Sequence, residues 1–241
     1  KPLGRPIGFE RPPRTFENDP VDHRSWRARR DDFHNYDKHL EKRKVMFKRM
    51  SKGYYKDWAN LKYNQGKTFL ANPRVFKKSL SLYFPNLIGR TIASAENKDT
   101  TSVLRNKVSV VCMFTSAWAE NQIKTFIGQE ENPKLREAIA SSGGRAQIVR
   151  INVEDNFMKW WMIWATMANL RLTVSREEHD KYFILNRDLP LTVRETLGLS
   201  NKNVGFVFLV DEDCQIRWAG CGEANATERE YLVKGLHRLL D

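Results

Sequence analysis

The chain has 241 residues, of which 41% are hydrophobic and 29% are charged. This length and composition exclude a mini-protein that depends on disulfides, and they are not those of a fully disordered chain. The formal net charge of +12 is concentrated at one end, because residues 1–90 hold 22 basic and 9 acidic side chains and the rest is nearly neutral. We therefore expect the N-terminal third to face an acidic partner: nucleic acid, an anionic membrane surface or an acidic protein.

The N-terminal third begins with a proline-rich arm and continues as a basic helical pattern. Residues 1–22 contain five prolines, which predicts an extended arm. Residues 24–52 lack proline and glycine and carry a narrow apolar stripe, which predicts one long amphipathic helix. This helix either packs along its own C-terminal domain or docks on a partner helix or membrane surface. We expect an arm with a helical extension over residues 1–85 and a second domain over residues 86–241.

From residue 107 onward, strand patterns alternate with helical ones. Two apolar runs have the composition of buried parallel strands, with helical patterns between them, and a hairpin and an amphipathic helix end the chain. In chain order these segments are 107–115, 116–128, 133–140, 146–155, the hairpin 204–210 with 215–220, and 226–241. This order predicts an α/β, thioredoxin-like fold, in which helices flank a mixed sheet.

A tryptophan-rich segment lies between the second predicted strand and the hairpin. Residues 156–172 are apolar on every helical face between Lys159 and Asn169. The continuous apolar part would be about 13 Å long as a helix, which is too short to cross a membrane. Two interpretations stay open: a helix buried against the sheet, or a docking surface anchored by Trp160, Trp161 and Trp164.

The turn after the first central strand is where thioredoxin-type redox enzymes carry their nucleophilic cysteine, at a helix N-terminus that lowers the thiol pKa. Here the turn at 116–122 has Trp118 in register, Ala119 in place of the first cysteine and Gln122 in place of the second. Residues 204–205 replace the proline that normally precedes the next-to-last strand. Alanine and glutamine cannot form a thiolate, so we expect no dithiol enzyme.

Other kinds of site leave little trace in the sequence. Three cysteines at unrelated spacings are not a disulfide framework and fit a reducing compartment. The histidines and cysteines lack metal-ligand spacing, and a polar hairpin loop explains the acidic turn 211–214 better than a cation site. Phosphate-binding, dinucleotide-binding and hydrolase motifs are absent from the sequence. We therefore predict no catalytic residues, no metal and no cofactor.

Four segments carry a resemblance to a known family. They are KPLGRPIGFERPP (1–13), FPNLIGRT (84–91), VVCMFTSAWAENQIKTF (110–126) and GFVFLVDEDCQIRWAGCGEA (205–224). Together they resemble the fungal mitochondrial ATP synthase membrane-sector assembly factor family. The first and last segments are specific to that family, whereas the strand and helix at 110–126 would fit many thioredoxin-like proteins.

The resemblance implies a non-enzymatic chaperone on the matrix side of the mitochondrial inner membrane. It implies that newly made ATP synthase subunit a (subunit 6) is the client and that the protein helps it join the subunit c ring. The sequence begins at Lys1 without a methionine, so we expect either that a presequence has been removed or that the sequence has been trimmed. Candidate client contacts are Trp160, Trp161, Trp164, and Arg217 with Trp218 as a fold or docking element of the hairpin. Candidate membrane or acidic-partner contacts are Arg27, Arg29, Arg30, Lys42, Arg43, Lys44, Lys48 and Arg49.

Two other classes of function remain as alternatives. A mitochondrial RNA- or ribosome-binding protein would use the same basic helix, with Tyr36, Tyr54, Tyr55 and Trp58 for base stacking. Such binding would fall steeply with salt and would be sensitive to RNase. A redox enzyme is the third class, and turnover that depends on Cys112 would support it. The assembly-factor interpretation predicts no nucleic-acid partner.

Overall fold

In the computed structural model, the described residues are 2–18, 66–94, 96–153, 167, 169–185, 189–199, 201 and 203–241. Their strands are β1 (Leu82–Tyr83), β2 (Ile88–Thr91), β3 (Asn97–Asp99), β4 (Val108–Phe114), β5 (Ala146–Val153), β6 (Tyr182–Leu185), β7 (Phe206–Val210) and β8 (Gln215–Cys221). Their helices are α1 (Thr100–Leu104), α2 (Ala117–Ile127), α3 (Pro133–Ser141), α4 (Leu191–Thr196) and α5 (Ala226–Leu240). Two 3-10 helices span Lys78–Leu80 and Arg176–Lys181.

The eight strands form one mixed sheet in the order β1-β8-β7-β4-β5-β6-β2-β3. Strands β4, β5 and β6 are parallel, and β7 runs antiparallel to both β4 and β8. The central order β5-β4-β7-β8, with helices α2 and α3 between β4 and β5 and helix α5 after β8, is the thioredoxin-like arrangement. This topology confirms the predicted fold class.

Strand β4 is buried along its whole length because both faces of the sheet are covered. Val111 and Met113 belong to a first core cluster, which also includes Phe84 from the segment before β2. Val110 and Cys112 belong to a second core cluster, which lies under helices α2, α3 and α5. Strands covered on both faces have continuous apolar runs, which is why this strand was recognisable in the sequence.

The hairpin of β7 and β8 has the predicted position and a tightly bonded acidic turn. The N–H of Cys214 donates to the carbonyl of Asp211 at 3.0 Å, and Cys214 takes a positive φ of 65°. One Asp211 carboxylate oxygen accepts the N–H groups of Asp213 and Gln215, at 3.1 and 2.9 Å. The other accepts from Arg217 at 2.9 Å. The Asp211 carboxylate therefore holds the hairpin together.

Helices α2, α3 and α5 confirm the helical predictions over 116–128, 133–140 and 226–241. Ser116 caps α2, as its sequence position predicted, and Asn132 caps α3 with Pro133 in the first turn. Helix α5 begins with a capping box formed by Asn225 and Glu228. None of the helices among the described residues has the length and apolar character needed to cross a membrane.

The division after residue 85 stays a prediction, and the described residues on either side of it are in contact. It falls inside a buried segment, 84–87, that belongs to the core. Strand β1, on the N-terminal side of that boundary, pairs with β8, and Phe9 of the arm pairs with Tyr83. Pro85 breaks the secondary structure there, but tertiary packing continues across it. The helix predicted over 24–52 lies outside the described residues.

Candidate functional site

The turn between β4 and α2 is the place where the fold could carry redox chemistry. The Oγ of Ser116 accepts the N–H of Ala119 at 3.2 Å, so the helix begins at residue 117. Residues 118 and 119 therefore lie within the first turn. The side chain of Ala119 is fully buried in the second core cluster, whereas that of Trp118 is 69% exposed. A side chain at position 119 thus points into the core and away from solvent.

Gln122 lies one helical turn after Trp118 and connects helix α2 to the start of β7 through a hydrogen bond. Its Oε1 accepts the N–H of Gly205 at 2.9 Å. A Cβ on Gly205 would lie 2.5 Å from the carbonyl oxygen of Ala119 and 2.8 Å from Cγ1 of Ile123. Only glycine allows this approach without a shift of the backbone. The space between the two elements is consequently filled by their own atoms.

The thiols of the described residues are buried and unreactive. Burial raises the pKa of Cys112 to about 12 and the pKa values of Cys214 and Cys221 to about 11. All three cysteines are free of disulfides. Because the thiolate is the nucleophile, groups with these pKa values stay inert near neutral pH. The site at the start of α2 therefore has no nearby thiol that could replace the missing pair.

A narrow apolar cleft with a cavity volume of about 20 Å³ opens at the carboxyl ends of β4 and β5. This end of a parallel sheet is where α/β folds commonly bind ligands. The lining is apolar apart from Thr115, Arg194 and Asn201. Among the described residues that line it, there is no cysteine, histidine or carboxylate that could serve as nucleophile or general base. The cleft can take apolar groups, but its own side chains do not form a catalytic constellation.

Arg217 and Trp218, predicted as a fold or docking element, are committed to the fold. Trp218 is fully buried, its indole N–H donates to the carbonyl of Asn72 at 2.7 Å, and its ring packs edge-on against Phe126. Arg217 pairs with Asp211 at 2.9 Å and donates to the carbonyl of Phe76 at 3.0 Å. These contacts are those of a fold element, which is one of the two roles predicted for this segment, and the role of Arg217 and Trp218 as client contacts stays a prediction.

Comparison with known proteins gives the family. A family model described as ATP10 protein matches residues 1–239, which is almost the whole chain. The chain belongs to the ATP10 protein family. The "Mitochondrial ATPase complex subunit ATP10" of Eremothecium gossypii is 35% identical to this ATP10 family chain over 192 residues, or 78% of the chain and 69% of that protein. The protein of the same name from Saccharomyces cerevisiae is 30% identical over 248 residues, or 99% of the chain and 87% of that protein.

A solved structure is similar to the ATP10 family chain in fold alone. It is a secreted thiol-disulfide isomerase from Corynebacterium glutamicum, with 12% sequence identity and a TM-score of 0.47. The similarity covers 73% of this chain and 99% of that one.

The remaining predicted contacts of the ATP10 family chain lie outside the described residues. These are the client-contact candidates Trp160, Trp161 and Trp164, and the basic candidates Arg27, Arg29, Arg30, Lys42, Arg43, Lys44, Lys48 and Arg49. They stay predictions. Of the tryptophans that the structure describes, Trp118 is exposed and Trp218 is buried.

Sequence reasoning missed a buried ion pair in the ATP10 family chain. The ammonium of Lys67 binds the carboxylate of Glu228, and both side chains are less than 10% exposed. Glu228 also accepts the N–H of Ala71 at 3.3 Å and the N–H of Asn225 at 3.2 Å. The spacing of Asn225 and Glu228 signals the helix start. Nothing in the sequence connects Lys67 with a residue 161 positions away.

Sequence reasoning also missed the role of Asn86. This residue is fully buried and lies in 84–91, one of the segments that carry the family resemblance. Its Oδ1 accepts the N–H and the hydroxyl of Thr101 at 3.1 and 2.8 Å. Its Nδ2 donates to the carboxylate of Asp99 and to the carbonyl of Glu17 at 3.3 Å. Asn86 therefore connects the arm, the end of β3 and the start of α1. The proline before it indicated a turn and nothing more.

Proposed function

We propose that this ATP10 family chain is a non-enzymatic assembly factor for the membrane sector of mitochondrial ATP synthase. In this function it binds newly made subunit a (subunit 6) and promotes the joining of that subunit to the subunit c ring. It acts as a peripheral protein on the matrix side of the inner membrane. The family match over almost the entire chain is the observation that carries the proposal.

The names of the relatives support an ATP synthase partner. The Eremothecium and Saccharomyces proteins are both named as mitochondrial ATPase complex subunits. The similarity to the second of them extends over 99% of this chain, so the N-terminal third takes part in the relationship as well as the thioredoxin-like domain. This breadth favours a shared role over a shared fold alone.

The geometry at the start of α2 supports binding without redox catalysis. In the proposed function Ala119 and Gln122 stand where a redox relative has its two cysteines. The side chain of Ala119 is buried in the core, and the amide oxygen of Gln122 accepts the N–H of Gly205. The three thiols elsewhere are buried and have raised pKa values. These observations fit best with a scaffold that presents binding surfaces and carries no reacting group.

The basic N-terminal third supports a position at the membrane. Anionic lipid attracts each nearby lysine or arginine by about 1 kcal/mol, and residues 1–90 carry 22 basic against 9 acidic side chains. In the proposed function Arg43, Lys44 and Lys48 contribute to this attraction. The same charges could bind RNA, which makes RNase sensitivity the discriminating observation.

The test is a pull-down of the tagged protein from fungal mitochondria in which only mitochondrial translation products are radiolabelled. The pull-down is performed with and without RNase, at about 50 and 200 mM salt. Selective, RNase-resistant recovery of newly made subunit a is the expected result. Recovery of all labelled products, lost on RNase treatment, would instead assign the protein to RNA or ribosome binding. A charge-reversed variant at Arg43, Lys44 and Lys48 tests the membrane part with liposomes that contain anionic lipid.

A further inference from the structure

The N-terminal arm, residues 2–18, occupies the outer edge of the sheet. Strand β1 lies at the end of the strand order, with β8 on its other side. Phe9 and Tyr83 exchange both backbone hydrogen bonds, at 2.8 and 2.7 Å, as an antiparallel pair. The N–H of Leu3 donates to the carbonyl of Leu70 at 2.9 Å. The arm is thus bound as an added strand would be, through backbone groups that an exposed edge offers to any extended segment.

Apolar side chains of the arm pack against the core at the same edge of the sheet. Leu3, Ile7 and Phe9 are partly buried against the first core cluster. The chain bends at Arg5 and at Gly8, and these bends bring the three side chains to the same cluster. Between them, Gly8 lies so close to β1 that an added Cβ would be 2.7 Å from the carbonyl oxygen of Tyr83. The occupant of this edge is therefore paired with β1 at Phe9, apolar where it meets the core and in close backbone contact at Gly8.

The attachment of the arm is nevertheless limited. Its prolines at 2, 6, 12 and 13 have no N–H to donate, so it cannot pair along a continuous ladder. The ion pair of the arm among the described residues, Arg11 with Glu17, is internal to it. Among the described residues, the arm pairs with a named strand of the sheet at the Phe9–Tyr83 pair alone. Its other hydrogen bonds go to separate points, such as Gly8 to the carbonyl of Thr196 at 3.3 Å and Phe16 to the carboxylate of Asp99 at 3.0 Å. A segment held in this way can exchange with a competitor of similar chemistry.

We propose that the edge of β1 is the docking site for an extended apolar segment of the client, and that the arm is its internal competitor. The inference rests on the proposed function, because that function supplies a client. Release of the arm frees the N–H and C=O of Tyr83 together with the apolar surface under Leu3, Ile7 and Phe9. A client segment then pairs with Tyr83 by β-augmentation and fills the same surface.

Two single substitutions in the arm provide a matched comparison. Gly8→Ala places a methyl group against the Tyr83 carbonyl, at a φ of 129°, and loosens the arm. Gly4→Ala makes the same chemical change four residues earlier, where the new methyl group has nothing nearer than 4.0 Å. The probe is a fluorescent peptide of residues 1–18. We expect Gly8→Ala to bind it at least about tenfold more tightly than the unsubstituted chain, with Gly4→Ala unchanged.

A reversible disulfide between the arm and β1, here called the lock, tests the same docking site without weakening the attachment of the arm. Phe9→Cys combined with Tyr83→Cys puts two cysteines at a hydrogen-bonded antiparallel pair, where Cα atoms are about 5.5 Å apart and within disulfide reach. The three native cysteines are buried and do not compete for oxidation. We expect the oxidised chain to lose most of the capture of newly made, radiolabelled subunit a, and reduction to restore it.

The outcomes separate the two proposals. If the unsubstituted chain captures no labelled subunit a, the proposed function fails. If it captures the subunit, and the oxidised and reduced locks capture it equally, the edge of β1 is not the docking site and the inference fails alone. Equal peptide binding by Gly8→Ala and Gly4→Ala, with both chains shown to be folded by circular dichroism, would also overturn it.

Discussion

Gln122 and Gly205 are 83 positions apart in the chain, and the amide oxygen of one accepts the backbone N–H of the other at 2.9 Å. The bond fixes the second turn of α2 to the entrance of β7. Gly205 is buried, so its N–H has little access to water if the bond is removed. Gln122 thus has a structural role in joining helix α2 to strand β7.

Gln122→Ala is expected to lower the free energy of unfolding by about 1–3 kcal/mol, because it leaves the N–H of Gly205 buried and unpaired. Urea unfolding followed by circular dichroism measures this loss. Asn121→Ala, at the exposed neighbouring position on the same helix, is the control and is expected to change stability by no more than about 0.5 kcal/mol. Equal effects of the two substitutions would contradict the role given to Gln122.

Lys67→Met is expected to destabilise the protein by about 3–5 kcal/mol, since it leaves the Glu228 carboxylate buried without its cation. The matched control is Lys234→Met, which removes the exposed ion pair with Glu230 on α5. An exposed pair of this kind is worth about 0.5 kcal/mol or less. Differential scanning calorimetry of both variants, beside the unsubstituted chain, decides the point. A small effect at Lys67 would mean that the pair is hydrated in solution.

The buried thiols predict how stability depends on alkaline pH. The folded pKa of Cys112 is raised to about 12 from its ordinary value of 9.0, so unfolding releases a proton between these values. The stabilising contribution is complete below the unfolded pKa and is lost as the pH rises towards the folded pKa. Cys112→Ala should therefore lose less stability than the unsubstituted chain between about pH 8 and pH 10.5. Urea midpoints at both pH values test this, and parallel losses in the two proteins would count against it.

Trp218→Phe is expected to cost about 1–3 kcal/mol of stability, because it removes the hydrogen bond to Asn72 and leaves space beside Phe126. At a temperature where the variant stays folded, its capture of newly made subunit a should equal that of the unsubstituted chain. Thermal unfolding and the pull-down measure the two effects separately. Loss of capture by a folded variant would support Trp218 as a docking residue.

Asn86→Ala is expected to destabilise the protein by about 1–3 kcal/mol, because it leaves the N–H and the hydroxyl of the buried Thr101 without their acceptor. It also removes the hydrogen bond to Glu17, which should make the arm more accessible to limited proteolysis. Asn97→Ala, at an exposed position of β3, is the control for both measurements. An unchanged rate of arm cleavage in the Asn86 variant would show that the arm is held elsewhere.

The sequence by itself determined the elements whose signals are local. Strand β4 was predictable because both of its faces are covered, which gives the uninterrupted run 108–114. Helix α2 was predictable from Ser116, and the hairpin from two apolar runs around the polar turn 211–214. The absence of the cysteine pair at 119 and 122 was also visible, since it depends only on position after a recognisable strand.

Only the tertiary structure decided which distant groups meet. Lys67 with Glu228, Gln122 with Gly205, and Phe9 with Tyr83 are pairs whose members are far apart in the chain, and each depends on how strands and segments are ordered in space. The contacts of the arm and β1 with the rest of the sheet were decided the same way: Pro85 marked a local break, while these contacts continued across it. Propensity and periodicity act over a few residues, whereas these contacts are set by packing of the whole sheet.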